Sequence, residues 1–216
     1  MVKAEHMRIL LVADTFYPEA NSAANQLYDL AIDLSERGVE VSVLAPVSSE
    51  AMKKKLPQTN CRIHDLRFKR LINRNTRSNT LRVTSEIIST FQLITRYFSS
   101  SRQLSRSDIL VWYSPSIFLV FFVYFCRIEF KYLILRDLFP DWAVNVGILR
   151  NRLLIYILRK LADVQFKLAT VVGVQSQGDK SILLAKYGAI ENCTVLKNWL
   201  GDRPDISRVR ENHEVF

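Results

Sequence analysis

The chain has 216 residues, 49% of them hydrophobic and 24% charged, with a net charge of +9 and three cysteines. That much apolar material supports a sizeable core in one large or two small domains, and excludes an intrinsically disordered chain. Cys61, Cys126 and Cys193 are scattered and odd in number, which excludes a disulfide framework and a zinc ligand set and fits a reducing compartment.

The charge is unevenly spread. Between Met52 and Arg106 stand thirteen Lys/Arg against two acids, Asp65 and Glu86; the remaining 17 basic and 19 acidic residues nearly cancel. Such a segment either faces an anionic partner (phospholipid, nucleic acid or phosphorylated substrate) or forms a solvated basic surface. The N-terminal stretch MVKAEHMRILLVAD lacks the apolar run and cleavage site of a signal peptide, so a cytoplasmic location is expected.

In chain order, 8–13 is an apolar run of strand length, the pattern of a strand covered on both faces. A helix is expected to start at Asn21 or Ser22, both good caps, with Leu27, Leu30, Ala31 and Leu34 as its apolar stripe. Arg37 falls in its last turn and Gly38 suits the residue after it. Residues 39–44 then give a second strand, and strand–helix–strand at this spacing is a right-handed unit with parallel strands. Further strands are expected over 62–68, 109–113, 131–136, 170–175 and 194–197, and helices over 79–100, 115–126, 151–168 and 178–187. The alternation predicts an α/β domain: a doubly wound, mostly parallel sheet with helices on both faces. Residues 1–7 read as an extension, 8–198 as the domain and 199–216 as a polar, charged tail.

Residues 109–126 carry no charge, yet Ser114, Pro115 and Ser116 interrupt them; Ser114 reads as an N-cap and Pro115 as the first helical residue. The helix left over is about 12 residues or about 18 Å, too short to span a bilayer. In 150–167, Leu153, Leu154, Ile157, Leu158 and Leu161 lie on one side of a basic helix. This stripe is expected to pack on the sheet, and the segment from Met52 to Arg106 is the better candidate for lipid contact.

No metal site is expected, because His6, His64 and His213 have no ligand spacing to each other or to the cysteines. The chain has no Walker A, no serine-nucleophile elbow and no glycine fingerprint, so a dinucleotide cofactor bound in the usual way is not expected. Polar residues do gather where strands end: Asp14 and Thr15, Ser114, then Arg136, Asp137 and Asp141 in RDLFPDW, then Ser176 and Gln177. In open α/β sheets these ends share one crevice, and Asn21 and Ser22 cap a helix whose first N–H groups point into it. Each of these residues taken singly reads as a cap or turn; together they favour a site.

With these residues in place, the chain resembles the N-terminal, acceptor-binding domain of GT-B glycosyltransferases of family 4, closest to the bacterial enzymes of O-antigen, capsule and exopolysaccharide synthesis. RILLVADTFYPEANSAANQLYDLAIDLSERGVEVSVLAP is similar to the family opening, a strand leading through Tyr-Pro-Glu into a helix that ends in Arg-Gly. LILRDLFPDWAVNVGIL resembles the family's Arg-Asp-Leu-Trp-Pro segment, and VVGVQSQGDKSILLAKYGAIENCTVLKNWL its Ser-containing turn, helix and exit to the interdomain linker. The family loop carries a Gly pair near positions 21–24, where this chain has Asn, Ser, Ala and Ala.

The resemblance implies the Rossmann-like half of a GT-B fold, with 199–216 leading toward a C-terminal donor domain that these residues do not contain. It implies a retaining transfer from a nucleotide-diphosphate sugar, the donor substrate, to a lipid-linked sugar acceptor at the inner face of the cytoplasmic membrane, with no cofactor. Asp137 and Arg136 would stand nearest the chemistry, Asp137 accepting a hydrogen bond from the acceptor hydroxyl and Arg136 taking part beside it or only holding Asp137 in place, or the pair would brace the loop before Pro140. Asp14, Tyr17, Asn21, Ser22, Asn25, Ser114, Asp141, Ser176 and Gln177 would contact substrate. Partners are the acceptor, a polypeptide supplying the donor domain and an anionic membrane surface, and the chain alone is expected to be inactive. A non-catalytic, membrane-associated binding or regulatory subunit is the alternative. A nucleic-acid binder is disfavoured because the basic segment has few aromatics for stacking and no recognised motif.

Overall fold

The computed structural model describes residues 7–54, 56, 62–72, 79–100, 104–114, 116–188, 190 and 192–199. The expected N-terminal extension, apart from Met7, and the expected linker, apart from Trp199, lie outside the described residues.

β1 (Arg8–Val12) leads into α1 (Ser22–Glu36), β2 (Glu40–Leu44), β3 (Pro46–Val47) and α2 (Ser49–Lys53). β4 (Ile63–Asp65), β5 (Phe68–Lys69), α3 (Asn79–Ser99), β6 (Ile109–Ser114) and α4 (Leu119–Phe125) follow. β7 (Phe130–Leu135), α5 (Asp141–Asn145), α6 (Arg152–Leu168), β8 (Val171–Val174), α7 (Gln177–Tyr187) and β9 (Cys193–Val195) complete the described elements. Seven strands form one sheet in the order β4-β2-β1-β6-β7-β8-β9, and every pair in it is parallel. The fold is therefore the expected doubly wound, Rossmann-like α/β domain, with the strand order reversing between β1 and β6.

The two faces have separate cores. On one, Leu10, Val12, Trp112, Leu133 and Val172 of the sheet pack on Leu93 and Tyr97 of α3, Phe122 of α4, Leu158 and Phe166 of α6, and Leu183 of α7. On the other, Ile9, Leu11, Val41 and Val111 pack on Leu27 and Ala31 of α1. Removing a side chain of this size from water stabilises the fold by about 1.5–3 kcal/mol each.

Helix starts follow local chemistry. Asn21 is extended and its Oδ1 accepts the Ala24 N–H at 2.8 Å, as its residue type predicts. At the other end Gly38 has φ of +88°, a conformation that costs a side-chain-bearing residue about 1 kcal/mol.

Three expectations are corrected. The single strand expected over 62–68 is two short ones. Asp65 Oδ1 accepts the Arg67 N–H at 3.0 Å and its guanidinium at 2.8 Å, so the chain turns at Leu66–Arg67, and β5 leaves the main sheet to pair with β3. Ser114 does not cap the next helix: it is held in β6, in register with Leu135, and α4 begins only at Leu119 after i→i+3 turns from Ser116 and Ile117. The apolar stripe of α6 is only partly covered. Leu158 is buried and Leu161 packs partly buried on the core, whereas Leu153, Leu154 and Ile157 are exposed. No described helix is long and apolar enough to cross a membrane.

Candidate functional site

A cleft of about 1300 Å³ opens at the C-terminal ends of β1, β6 and β7, where the strand order reverses. In open α/β sheets this is where ligands bind, because the helices on either side of the switch point diverge. The loop after β1 and the start of α1 supply Asp14, Thr15, Glu19, Asn21 and Ser22; the turn after β7 supplies Arg136 and Asp137. Of the residues expected at a site, the structure thus brings Asp14, Asn21, Ser22, Arg136 and Asp137 together.

Asn21 has two tasks. Its Oδ1 caps α1, and its Nδ2 donates to Thr15 Oγ1 at 3.0 Å, fixing the loop against the helix start. No acid stands in the first turn of α1, and the positive end of the helix dipole, at Asn21, Ser22 and Ala23, lines the cleft.

Asp137 is exposed and lines the cleft, and no partner of its carboxylate is found among the described residues. Arg136 does not hold it. The Arg136 guanidinium instead donates to Gln26 Oε1 at 2.6 Å and to Asn198 Oδ1. Gln175 Nε2 donates to the Arg136 carbonyl at 2.6 Å, and Asn198 Nδ2 to Gln175 Oε1 at 3.2 Å. Trp199 Nε1 donates to the Gln26 carbonyl at 3.0 Å. The Tyr113 hydroxyl donates to Gln26 Oε1 at 3.3 Å; burial pushes it up to about 12, Arg136 opposing and Asp137 and Asp14 adding, so it stays a phenol. This network joins α1, β6, the end of β7 and the segment after β9 beneath the cleft.

The basic segment forms the facing wall. Lys54, Lys69, Arg70 and Arg82 line the cleft. Arg70 donates to the carbonyls of Asp14 and, at 3.1 Å, Pro46, and Arg82 Nε lies 3.8 Å from Glu86. Arg67 is spent structurally: its buried guanidinium binds Asp65 Oδ2 at 2.6 Å and the Tyr17 carbonyl at 2.8 Å.

The other expected residues lie off the cleft lining. Tyr17 stacks on Tyr28 with ring centroids 4.4 Å apart. Asn25 sits one turn into α1, and Ser114 is buried at the end of β6. Ser176 caps α7 through the Asp179 N–H at 3.1 Å, and Gln177 opens that helix. Asp141 is buried and receives Lys186 Nζ at 2.5 Å, the Tyr187 hydroxyl at 2.9 Å and Arg159 Nε at 3.1 Å, which ties α5 to α6 and α7. Burial alone would raise Asp141; the hydrogen bonds from Lys186, Tyr187 and Arg159 outweigh it and hold the carboxyl below its ordinary value. The described residues contain no group of three or more His, Cys, Asp or Glu that could hold a metal ion.

Gln26, Gln175 and Asn198 were missed by sequence reasoning. A lone Gln on an amphipathic helix carries no signal. In the sequence Asn198 reads only as part of the exit to a linker, and the contacts that give it meaning, to Arg136 and Gln175, are 62 and 23 residues away in sequence but adjacent in the fold. Arg70 and Arg82 were legible only as members of a basic segment.

No protein-family model and no curated protein sequence matches the chain. Solved structures do. UGT2 of Phytolacca americana, complexed with UDP-2-fluoro-glucose and pterostilbene, is similar with a TM-score of 0.58 at 13% identity, over 95% of this chain and 57% of that one. A UDP-glucosyltransferase from Polygonum tinctorium capable of glucosylating indoxyl is similar with a TM-score of 0.60 at 14% identity, over 94% of this chain and 55% of that one. The chain therefore spans a little over half the length of these proteins and shares the fold of one half of a GT-B structure.

Proposed function

We propose that the chain is the acceptor-binding half of a sugar-nucleotide-dependent, retaining glycosyltransferase of family 4 type, serving bacterial surface-polysaccharide synthesis. What carries the reading is the cleft at the strand-order reversal, with Asp137 exposed in it, in a fold shared with one half of UDP-glycosyltransferases. The donor half would belong to the same longer polypeptide or to a second one.

In this reading the acceptor sugar lies in the cleft with its reacting hydroxyl hydrogen-bonded to Asp137. The carboxylate orients the hydroxyl and draws on its proton as the new glycosidic bond forms. The positive end of α1 and the wall of Lys69, Arg70 and Arg82 stabilise negative charge on the leaving nucleotide diphosphate or on an acceptor phosphate. The small residues Ser22, Ala23 and Ala24 let a diphosphate approach the helix start where the resembled family has glycines. Arg136, bonded away from Asp137, positions the turn that carries it.

The test is label transfer. Membranes from source cells lacking the chain, given radiolabelled nucleotide-diphosphate sugars, should fail to label lipid-extractable material, and restoring the chain should restore the label. Unchanged labelling without the chain would contradict the reading. The purified 216-residue chain alone should show no turnover.

A further inference from the structure

We infer that Gln175 and Asn198 are positioning residues for Asp137. With Arg136 they close a hydrogen-bonded ring around the peptide from which the Asp137 carboxylate projects. The inference rests on the transfer reading, because it gives these side chains a purpose through Asp137.

The ring spans three consecutive strand ends. Gln175, just after β8, donates through Nε2 to the Arg136 carbonyl at 2.6 Å. Asn198, after β9, donates through Nδ2 to Gln175 Oε1 at 3.2 Å. The Arg136 guanidinium donates to Asn198 Oδ1 and closes the circuit. Arg136 fixes its sense: the carbonyl can only accept, and the guanidinium can only donate. Turning either amide over would set like groups against each other.

The consequence falls on the next residue. The Arg136 carbonyl and the Asp137 N–H share one planar peptide, so the bond from Gln175 sets the plane from which Asp137 leaves. The other end of Arg136 matters as well. A carboxylate is a stronger acceptor than a neutral amide oxygen, and one stands on the adjacent residue. Asn198 Oδ1 and Gln26 Oε1 nevertheless hold the guanidinium, Gln26 at 2.6 Å. One ring thus orients the Asp137 backbone and keeps the neighbouring cation off its carboxylate.

Asn198 is exposed, where water competes for its amide. The chain on both sides of it is anchored. The Leu196 N–H donates to the Val174 carbonyl at 2.7 Å, and Leu196 and Trp199 pack on the core beside α1. Trp199 Nε1 donates to the Gln26 carbonyl at 3.0 Å, and Gln26 Nε2 to the Trp199 carbonyl at 3.4 Å. The backbone at Asn198 is therefore already ordered when its side chain meets Gln175 and Arg136, which lowers the entropic cost of closing the ring.

The experiment compares Gln175→Met and Asn198→Leu, which keep side-chain bulk and break the ring. In the purified, isotope-labelled chain, the backbone order parameter at Asp137 should be about 0.85 in the wild type and below about 0.6 in Gln175→Met. Leu133, inside β7, should stay ordered, which tells a local effect from general loosening. If Gln175→Met does not fold, Asn198→Leu, at an exposed position, carries the same measurement. Restored to membranes in equal amount, each folded variant should lower maximal labelled-sugar transfer by about tenfold and leave the donor KM unchanged. A brace that only adds stability would shift the melting temperature and leave both readouts alone. The inference is overturned if Asp137 stays ordered in every folded variant, if Leu133 loosens as much as Asp137, or if the folded variants transfer at the wild-type rate. Wild-type transfer by Asp137→Asn would overturn the transfer reading and this inference with it. An Asp137 that stays ordered without the ring overturns this inference alone.

Discussion

Arg136 turns away from its neighbour Asp137 and donates to Gln26 Oε1 at 2.6 Å, across from the end of β7 to the second turn of α1. The cation that would otherwise neutralise the carboxylate is occupied elsewhere, and Asp137 is left open to the cleft. The same Gln26 oxygen accepts the Tyr113 hydroxyl at 3.3 Å, so one amide organises the floor of the site.

Replacing Gln26 with Leu should therefore cost more than its size suggests. The variant strips an acceptor from a half-buried guanidinium and from a buried phenol together, and loosens the segment at Trp199. We expect a loss of about 1–3 kcal/mol, read by denaturant unfolding. A Gln26→Glu variant, which keeps the acceptor, should retain more stability than Gln26→Leu.

Gly173 offers a second test. A Cβ at this position would stand 2.5 Å from Tyr132 Oη and 3.0 Å from its ring, so the tyrosine must move and release its 3.4 Å hydrogen bond to Thr194. Gly173→Ala should lower stability by about 1–2 kcal/mol. Tyr132→Phe removes the nearest atom, and the double variant Gly173→Ala/Tyr132→Phe should lose less than the sum of the two single changes, in a double-mutant cycle.

The Asp141 cluster gives a pH dependence with a definite sign. Its carboxyl is held below the ordinary 3.8, so it binds fewer protons folded than unfolded near that value. Its contribution is complete above the ordinary value and is lost as pH falls through the lowered one. Asp141→Asn should cost about 2 kcal/mol at neutral pH, moderated because Lys186 and Arg159 stay partly solvated. It should also flatten the acid limb of the stability curve. An acid limb identical to the wild type would show that the cluster is not the source.

What the sequence made legible was local. The Asn21 cap, the Gly38 helix end and the apolar runs of β1, β6 and β7 depend on neighbours in the chain, and the parallel, doubly wound sheet followed from their order. What was not legible depends on partners far away. Arg67 reads as one more surface cation until Asp65 and the Tyr17 carbonyl are seen around it. Asp141 reads as a site residue because it stands in the same motif as Asp137, and only Lys186, Tyr187 and Arg159 reveal it as a brace. Periodicity placed Leu153, Leu154 and Ile157 on the same side of α6 as Leu158. It says nothing of how wide the covered strip is, and the sheet reaches only Leu158 and its inner neighbours.

The most direct measurement is the rate of labelled sugar transfer to lipid-extractable acceptor in membranes restored with Asp137→Asn instead of the wild-type chain. The exposed carboxylate has no partner among the described residues, so the variant should fold with an unchanged melting temperature. If Asp137 engages the acceptor hydroxyl, transfer should fall by about a hundredfold or more. Wild-type transfer by a folded Asp137→Asn chain would contradict the placement of the reaction in this cleft.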